Sequence, residues 1–252
     1  MSLVSIEDAG AVRHIVLNRA EKRNAFNFDL VRATGDALRD AANDGSVRVV
    51  VLRGAGDVFS SGMDIKELAS LSGSPERLRE FRRECITAWN IAEEMTKPTI
   101  AQIHGVCFGG ALELALACDL QVVADDARMS IPEVRLGLVP DVGGSSRLPA
   151  VVGLGRAKEL VMTGREFDAE EAFRIGFANR VAPMAELDAA SGELIEQLTS
   201  AFAVPVGLSK RILDAAAKPA LAQTLEFEVT AQEVAVASLS AAMRDAAAAT
   251  GE

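Results

Sequence analysis

The chain has 252 residues, 49% of them hydrophobic and 25% charged, which suits a soluble globular enzyme of one large domain or two small ones. Lys plus Arg number 26 against 36 Asp plus Glu, a formal net charge of −10, so a nucleic-acid partner, which calls for a basic face, is not expected. Cys85, Cys107 and Cys118 form no CxxC or zinc spacing, His14 and His104 are far apart, and no apolar run reaches the ~18 residues of a membrane span or the pattern of a secretory leader; no metal and no membrane is expected, and the cytoplasm is the expected location.

Residues 2–7 and 11–17 read as two strands meeting at Ala9-Gly10, a hairpin. "FDLVRATGDALRDAAND" carries apolar residues at helical spacing, with Gly45 as its stop. "VRVVVLRG" (47–54) is β-branched and continuously apolar, the pattern of a strand buried on both faces. Residues 75–95 form a long amphipathic helix with Pro75 at its start and Pro98 just beyond its end. "TIAQI" is a strand, Gly109–Ala117 a helix and "LQVVA" a strand. From Met184 the chain reads as almost entirely helical, and the last segment, Ala-rich and weakly amphipathic, suits an oligomer interface. The alternation of strands and helices makes the fold class α/β.

No dinucleotide fingerprint, GxxxxGK[ST], GxSxG or HExxH occurs, so the candidate reagents are carboxylates and backbone N–H groups. Gly109 and Gly110 follow a strand and open a helix, where N–H groups have no helical partner and the helix dipole is positive. Glu113, three residues on, projects from the same face as Gly110. Taken alone, the glycines serve packing as readily as ligand approach, and Glu113 serves as readily to cap its own first turn. "VFSSGMDIKEL" (58–68) repeats the strand-to-helix turn, with Gly62 at the bend, Met63 N–H at the start and Asp64 as a cap. Two such N–H groups aimed at one carbonyl oxygen would make an oxyanion hole. "IPEVRLGLVPDVGGSSRLP" adds Glu133 and Asp141, which by themselves read as a helix cap and a turn former.

In "LNRAEKRNAFN", "FSSGMDIKEL", "HGVCFGGALELALACD", "IPEVRLGLVPDVGGSSRLP" and "LVMTGREFDAEEAFRIGFANRV", the sequence resembles the crotonase superfamily, most closely the enoyl-CoA hydratases. The resemblance implies a spiral of repeated ββα units over residues 1–195 and a C-terminal helical trimerisation region over 196–252, assembled as a homotrimer or a dimer of trimers. It places Met63 and Gly110 N–H at the oxyanion hole, Glu113 and Glu133 at the two catalytic glutamates, and Lys22, Ala25, Ser61, Asp64, Ile65, Lys66 and Gly109 along the coenzyme A moiety. The substrate is then an acyl-CoA and no separate cofactor is needed. Glu113 would act as base on a water attacking C3 of a trans-2-enoyl thioester, and Glu133 would deliver a proton to C2. Asp141 falls where certain isomerases carry a third acid, so an enoyl- or dienoyl-CoA isomerase is the alternative. Residues 69–78 are expected to cover the acyl tail, with Leu68 and Leu71 as lining. Lys210, Arg211 and Lys218 are candidates for the CoA phosphates, within the subunit or across the interface.

Overall fold

The computed structural model describes residues 2–71 and 74–250. In chain order the elements are β1 (Val4–Ala9), β2 (Val12–Leu17), α1 (Phe28–Asn43), β3 (Val49–Gly54), α2 (Ile65–Leu71), α3 (Pro75–Glu94), β4 (Thr99–Ile103), β5 (Val106–Phe108) and α4 (Gly110–Ala117). They continue with β6 (Leu120–Ala124), β7 (Arg128–Ser130), α5 (Gly144–Val152), α6 (Leu154–Thr163), β8 (Phe167–Asp168), α7 (Ala169–Arg174), β9 (Arg180–Ala182), α8 (Leu187–Ser200), α9 (Ala203–Ala217) and α10 (Leu221–Thr250).

Two sheets carry the fold. The larger runs β1-β2-β3-β4-β6-β9; only the β1–β2 hairpin is antiparallel, and the remaining pairs are parallel. The smaller is β5-β7-β8. β-β-α order recurs as β1-β2-α1, β4-β5-α4 and β6-β7-α5, the repeating unit that the resemblance implies.

The apolar run of β3 is explained by burial on both faces. Val50 and Leu52 pack into the main core with α1, α3 and α4. Val49 and Val51 face the other way, against Leu187 and Leu194 of α8. With period-two side chains, a strand covered on both sides has no polar positions. The expected division at 195/196 falls inside α8, a helix that itself covers the large sheet, so the chain does not part there.

The short strands β5, β7 and β8 have no sequence signal of their own, yet they position the site. The stretch after β3 runs beside β5: Phe59 N–H donates to His104 O, Ser60 N–H to Val106 O and Phe108 N–H to Ser60 O. Buried Asn24 locks this crossing, its Nδ2 donating to the carbonyls of Ala55, Val58 and Phe59.

Candidate active site

The crossing of residues 58–63 over β5 brings Met63 onto Gly110. The position a Cβ would take on Gly110 lies 2.4 Å from Met63 Cε. Among the described residues, neither Met63 N–H nor Gly110 N–H donates to a protein acceptor. Asp64 caps α2 as expected, accepting from Lys66 N–H at 2.9 Å, and also pairs with Arg19 at 2.7 Å.

Glu133 reaches the same place through β7. Gly109 N–H donates to Ser130 O, and three residues beyond Ser130 the chain enters a 3₁₀ turn that begins at Glu133. Gly109 has φ 53°, and a Cβ there would lie 2.5 Å from Glu133 Oε1. Glycine is needed here twice, for the left-handed backbone and for the carboxyl group beside it. Glu133 Oε2 is buried and has no hydrogen-bond partner among the described residues.

Glu113 does not cap its own helix. Its Oε1 accepts from Val142 N–H at 3.1 Å and Gly144 N–H at 2.8 Å, at the N-terminus of α5. The same terminus binds a second buried carboxylate, Glu228 of α10, which accepts from Gly143 N–H at 2.9 Å, Ser146 N–H at 2.6 Å and Ser146 Oγ–H at 2.6 Å. Two carboxylates thus meet the positive end of one helix.

These groups open on one cavity of about 240 Å³, lined by Met63, Gly109, Gly110, Glu113, Glu133 and Asp141 together with leucines and Phe81. Burial pushes the Glu113 carboxyl well above its usual range, and the charges of Glu133, Asp141 and Glu228 add to this. Burial also raises Glu133 to about 7 and Asp141 to about 6. The carboxyls crowd each other and share protons as a set. The two N–H donors on Glu113 favour placing a negative charge there, while partnerless Glu133 Oε2 is suited to hold a proton.

Beside this cavity lies an open groove of about 570 Å³, and the two share Ser61, Met63 and Ile65. The groove is lined by Arg19, Lys22, Arg23, Ala25, Asp64 and Lys66 among others, so every residue expected along coenzyme A except Gly109 is gathered there. Gly109 lies in the cavity itself.

Several expectations are corrected. Leu68 lines the cavity, but Leu71 is fully buried in the main core. Of the expected cover, residues 72 and 73 lie outside the described residues. Lys210, Arg211 and Lys218 are engaged elsewhere: Lys210 is buried against Asp119, Arg211 donates to Glu94 O, and Lys218 pairs with Glu93 and Asp214. Asp141 is more than a turn former, because its carboxylate faces buried Arg82 of α3. The C-terminal region is more than a candidate interface, because α10 supplies Glu228 to α5 and Gln232 to the cavity wall.

Arg82, Glu228 and Gln232 were missed in the sequence. The available signal was helical phase. Arg82 falls on the line of Cys85 and Trp89, and Glu228 and Gln232 fall on the line of Leu225, all buried positions at spacings of three, four and seven.

Comparison with known proteins gives the family. The sequence profile of the enoyl-CoA hydratase/isomerase family matches residues 7–244. The short-chain-enoyl-CoA hydratase of Clostridium acetobutylicum is 34% identical over 232 residues, covering 89% of this chain and 86% of that protein. The peroxisomal Delta(3,5)-Delta(2,4)-dienoyl-CoA isomerase of Arabidopsis thaliana is 33% identical over 231 residues, covering 87% and 83%. Among solved structures, a putative enoyl-CoA hydratase from Thermobifida fusca YX in complex with CoA matches with a TM-score of 0.78 and 32% identity, over 95% of each chain.

Proposed function

The chain belongs to the enoyl-CoA hydratase/isomerase family, and we propose that it is a hydratase, adding water across the C2=C3 bond of a trans-2-enoyl-CoA to give a 3-hydroxyacyl-CoA. One observation carries this reading: Glu113 and Glu133 face one cavity in which two backbone N–H groups have no protein acceptor among the described residues. Attack at C3 builds negative charge on the thioester oxygen, and N–H donors from Met63 and Gly110 are placed to stabilise it, at roughly 10²–10³ in rate per donor. Glu113, held by two N–H groups, takes the proton from water as the C3–O bond forms. Glu133, raised to about 7, returns a proton to C2. The thioester belongs to the substrate, so coenzyme A is not a separate cofactor. The basic groups of Arg19, Lys22, Arg23 and Lys66 give a protein of net charge −10 a local positive groove for the CoA phosphates. Loss of the conjugated absorbance of crotonyl-CoA on mixing with the protein tests the reading; an unchanged spectrum refutes it.

A second reading, proton transfer along the acyl chain of a 3-enoyl or 3,5-dienoyl thioester, is favoured by Asp141, which lines the same cavity, and by the likeness to the dienoyl-CoA isomerase. The hydratase reading is preferred because Asp141 is occupied by the Arg82 guanidinium, whereas Glu133 Oε2 has no hydrogen-bond partner among the described residues.

The reading includes a homotrimer or a dimer of trimers. Phe202 is 85% exposed, and Val204, Leu208, Ile212, Leu213 and Phe227 leave further apolar surface on α9 and α10. Light scattering that reports a monomer at micromolar concentration would refute this. It also includes a cytoplasmic location, supported by three buried cysteines left as free thiols. Among the described residues, no helix is long and apolar enough to cross a membrane.

A further inference from the structure

We propose that Glu228 of α10 is a positioning residue for hydration: by holding the peptide bond between Val142 and Gly143, it keeps the Glu113 carboxylate in place. This role rests on the hydratase reading of the site and brings the C-terminal helix into its machinery.

Three successive N–H groups at the start of α5 divide between two carboxylates. Those of Val142 and Gly144 donate to Glu113 Oε1, at 3.1 and 2.8 Å. The one between them, on Gly143, donates to Glu228 Oε2 at 2.9 Å. Gly143 has φ 116°, a left-handed backbone that turns the chain at this point. The carbonyl of the same Val142–Gly143 peptide accepts from Arg147 Nη1 at 3.3 Å. Arg147 is fully buried, and Glu93 Oε2 fixes it by accepting from its Nε at 3.0 Å and its Nη2 at 2.8 Å. The planar Val142–Gly143 peptide is therefore gripped at both edges. It is also the link between the two donors of Glu113, so its pose sets how they meet Oε1. Both bonds go to Oε1, which leaves Oε2 for the attacking water.

Glu228 is 4% exposed, and its charge makes Glu113 harder to ionise. A buried acid in this place works against the base unless its oxygens serve the chain around it. They do: besides Gly143 N–H, they accept from Ser146 N–H and Ser146 Oγ–H, each at 2.6 Å. α10 has other anchors of its own. Gln232 Oε1 accepts from Val139 N–H at 2.8 Å, and Glu233 pairs with Arg79 of α3. Replacing Glu228 therefore tests the grip on the peptide rather than the docking of the helix.

The test is steady-state hydration of crotonyl-CoA by the full protein. Glu228→Met keeps the side-chain length and removes both acceptors. It should lower kcat at least about tenfold, since small misplacements of a reacting group are costly, with KM within about twofold of wild type. Glu228→Gln has one acceptor oxygen in place of two, and its kcat should fall between those of Glu228→Met and wild type, about threefold down. In a Glu113→Gln background, Glu228→Met should change the residual rate by less than about twofold, because residues that act as a unit are not additive. A merely structural loss would lower the rate alike in both backgrounds. The proposal is overturned if folded Glu228→Met keeps wild-type kcat, if KM rises in place of a fall in kcat, or if the loss is the same with and without Glu113. It is also overturned if the Gln and Met variants lose equally, which would leave only the charge of Glu228 to explain the effect. Should Glu228→Met not fold, the same cycle run with Glu228→Gln decides by its non-additivity with Glu113→Gln. A wild type that hydrates no enoyl thioester would instead remove the hydratase reading, and this inference with it.

Discussion

Gly144 N–H donates to Glu113 Oε1 at 2.8 Å, and the position of a Cβ on Gly144 lies 2.9 Å from that same oxygen and 2.9 Å from Pro140 Cβ. The helix that orients the carboxylate therefore has no room for a methyl group. Gly144→Ala should move Glu113 off its donors and lower kcat for crotonyl-CoA by at least about tenfold, with a stability cost of about 1–3 kcal/mol and CoA affinity retained. Wild-type kcat in a folded variant would show that this contact does not orient the base.

Glu113→Gln and Glu133→Gln each remove a proton-transfer group but keep the side-chain volume. Each should lower kcat by at least ~10² with little change in CoA affinity, measured by titration calorimetry. Near wild-type hydration by either variant would strip that residue of its role.

The pH profile follows from the raised carboxyls. Hydration requires Glu113 ionised and Glu133 protonated, so kcat/KM must fall when the shared proton leaves the pair. Burial raises Glu133 to about 7, which puts the alkaline limb near neutrality. The raised Glu113 moves the acid limb above 4.5, the usual glutamate value. A profile flat between about pH 6 and 9 would contradict the assignment.

Asp141→Asn separates the two reactions. The hydratase reading expects crotonyl-CoA hydration within about tenfold of wild type, because no proton-transfer group is lost. It also expects a clear fall in melting temperature, because removing one partner of a buried ion pair strands Arg82, at about 3–5 kcal/mol. If the wild type instead converts a 3,5-dienoyl thioester far faster than it hydrates crotonyl-CoA, and Asp141→Asn abolishes that conversion, the isomerase reading replaces the first.

Glu228 carries a stability prediction. Burial raises its folded value from 4.5 to about 7, against the donors of Ser146 and Gly143. A carboxyl raised on folding favours the folded state while it holds its proton. That contribution is complete below about pH 4.5 and is lost as pH rises to about 7, a shift worth about 3 kcal/mol. Glu228→Gln cannot ionise, so its stability should fall less steeply between about pH 5 and 7 than wild type. Urea unfolding at fixed protomer concentration checks this; parallel pH slopes would refute it.

Sequence determined what local forces determine. The β1–β2 hairpin, the doubly buried β3, the long α3 and the three C-terminal helices follow from periodicity, turn residues and apolar runs, and all are present. The glycine-opened turns at Gly62 and Gly109-Gly110 were also legible, because positive φ and close approach leave few alternatives to glycine. Tertiary structure alone decided what those turns meet. β5, β7 and β8 are held by neighbours rather than by propensity, yet the hydrogen bonds around them bring Met63 onto Gly110 and Glu133 beside Gly109. Taken alone, the sequence lets Glu113 cap its own helix as readily as face a ligand; packing has it held by the N-terminus of α5, more than 30 residues along the chain. Arg82 and Glu228 look like ordinary charges on amphipathic helices; only the packing of α3 and α10 buries them against Asp141 and α5. Burial is a sum over distant segments, and it moves these carboxyls toward neutral pH. A local reading of the chain can name the acids but not which of them is raised, paired or free.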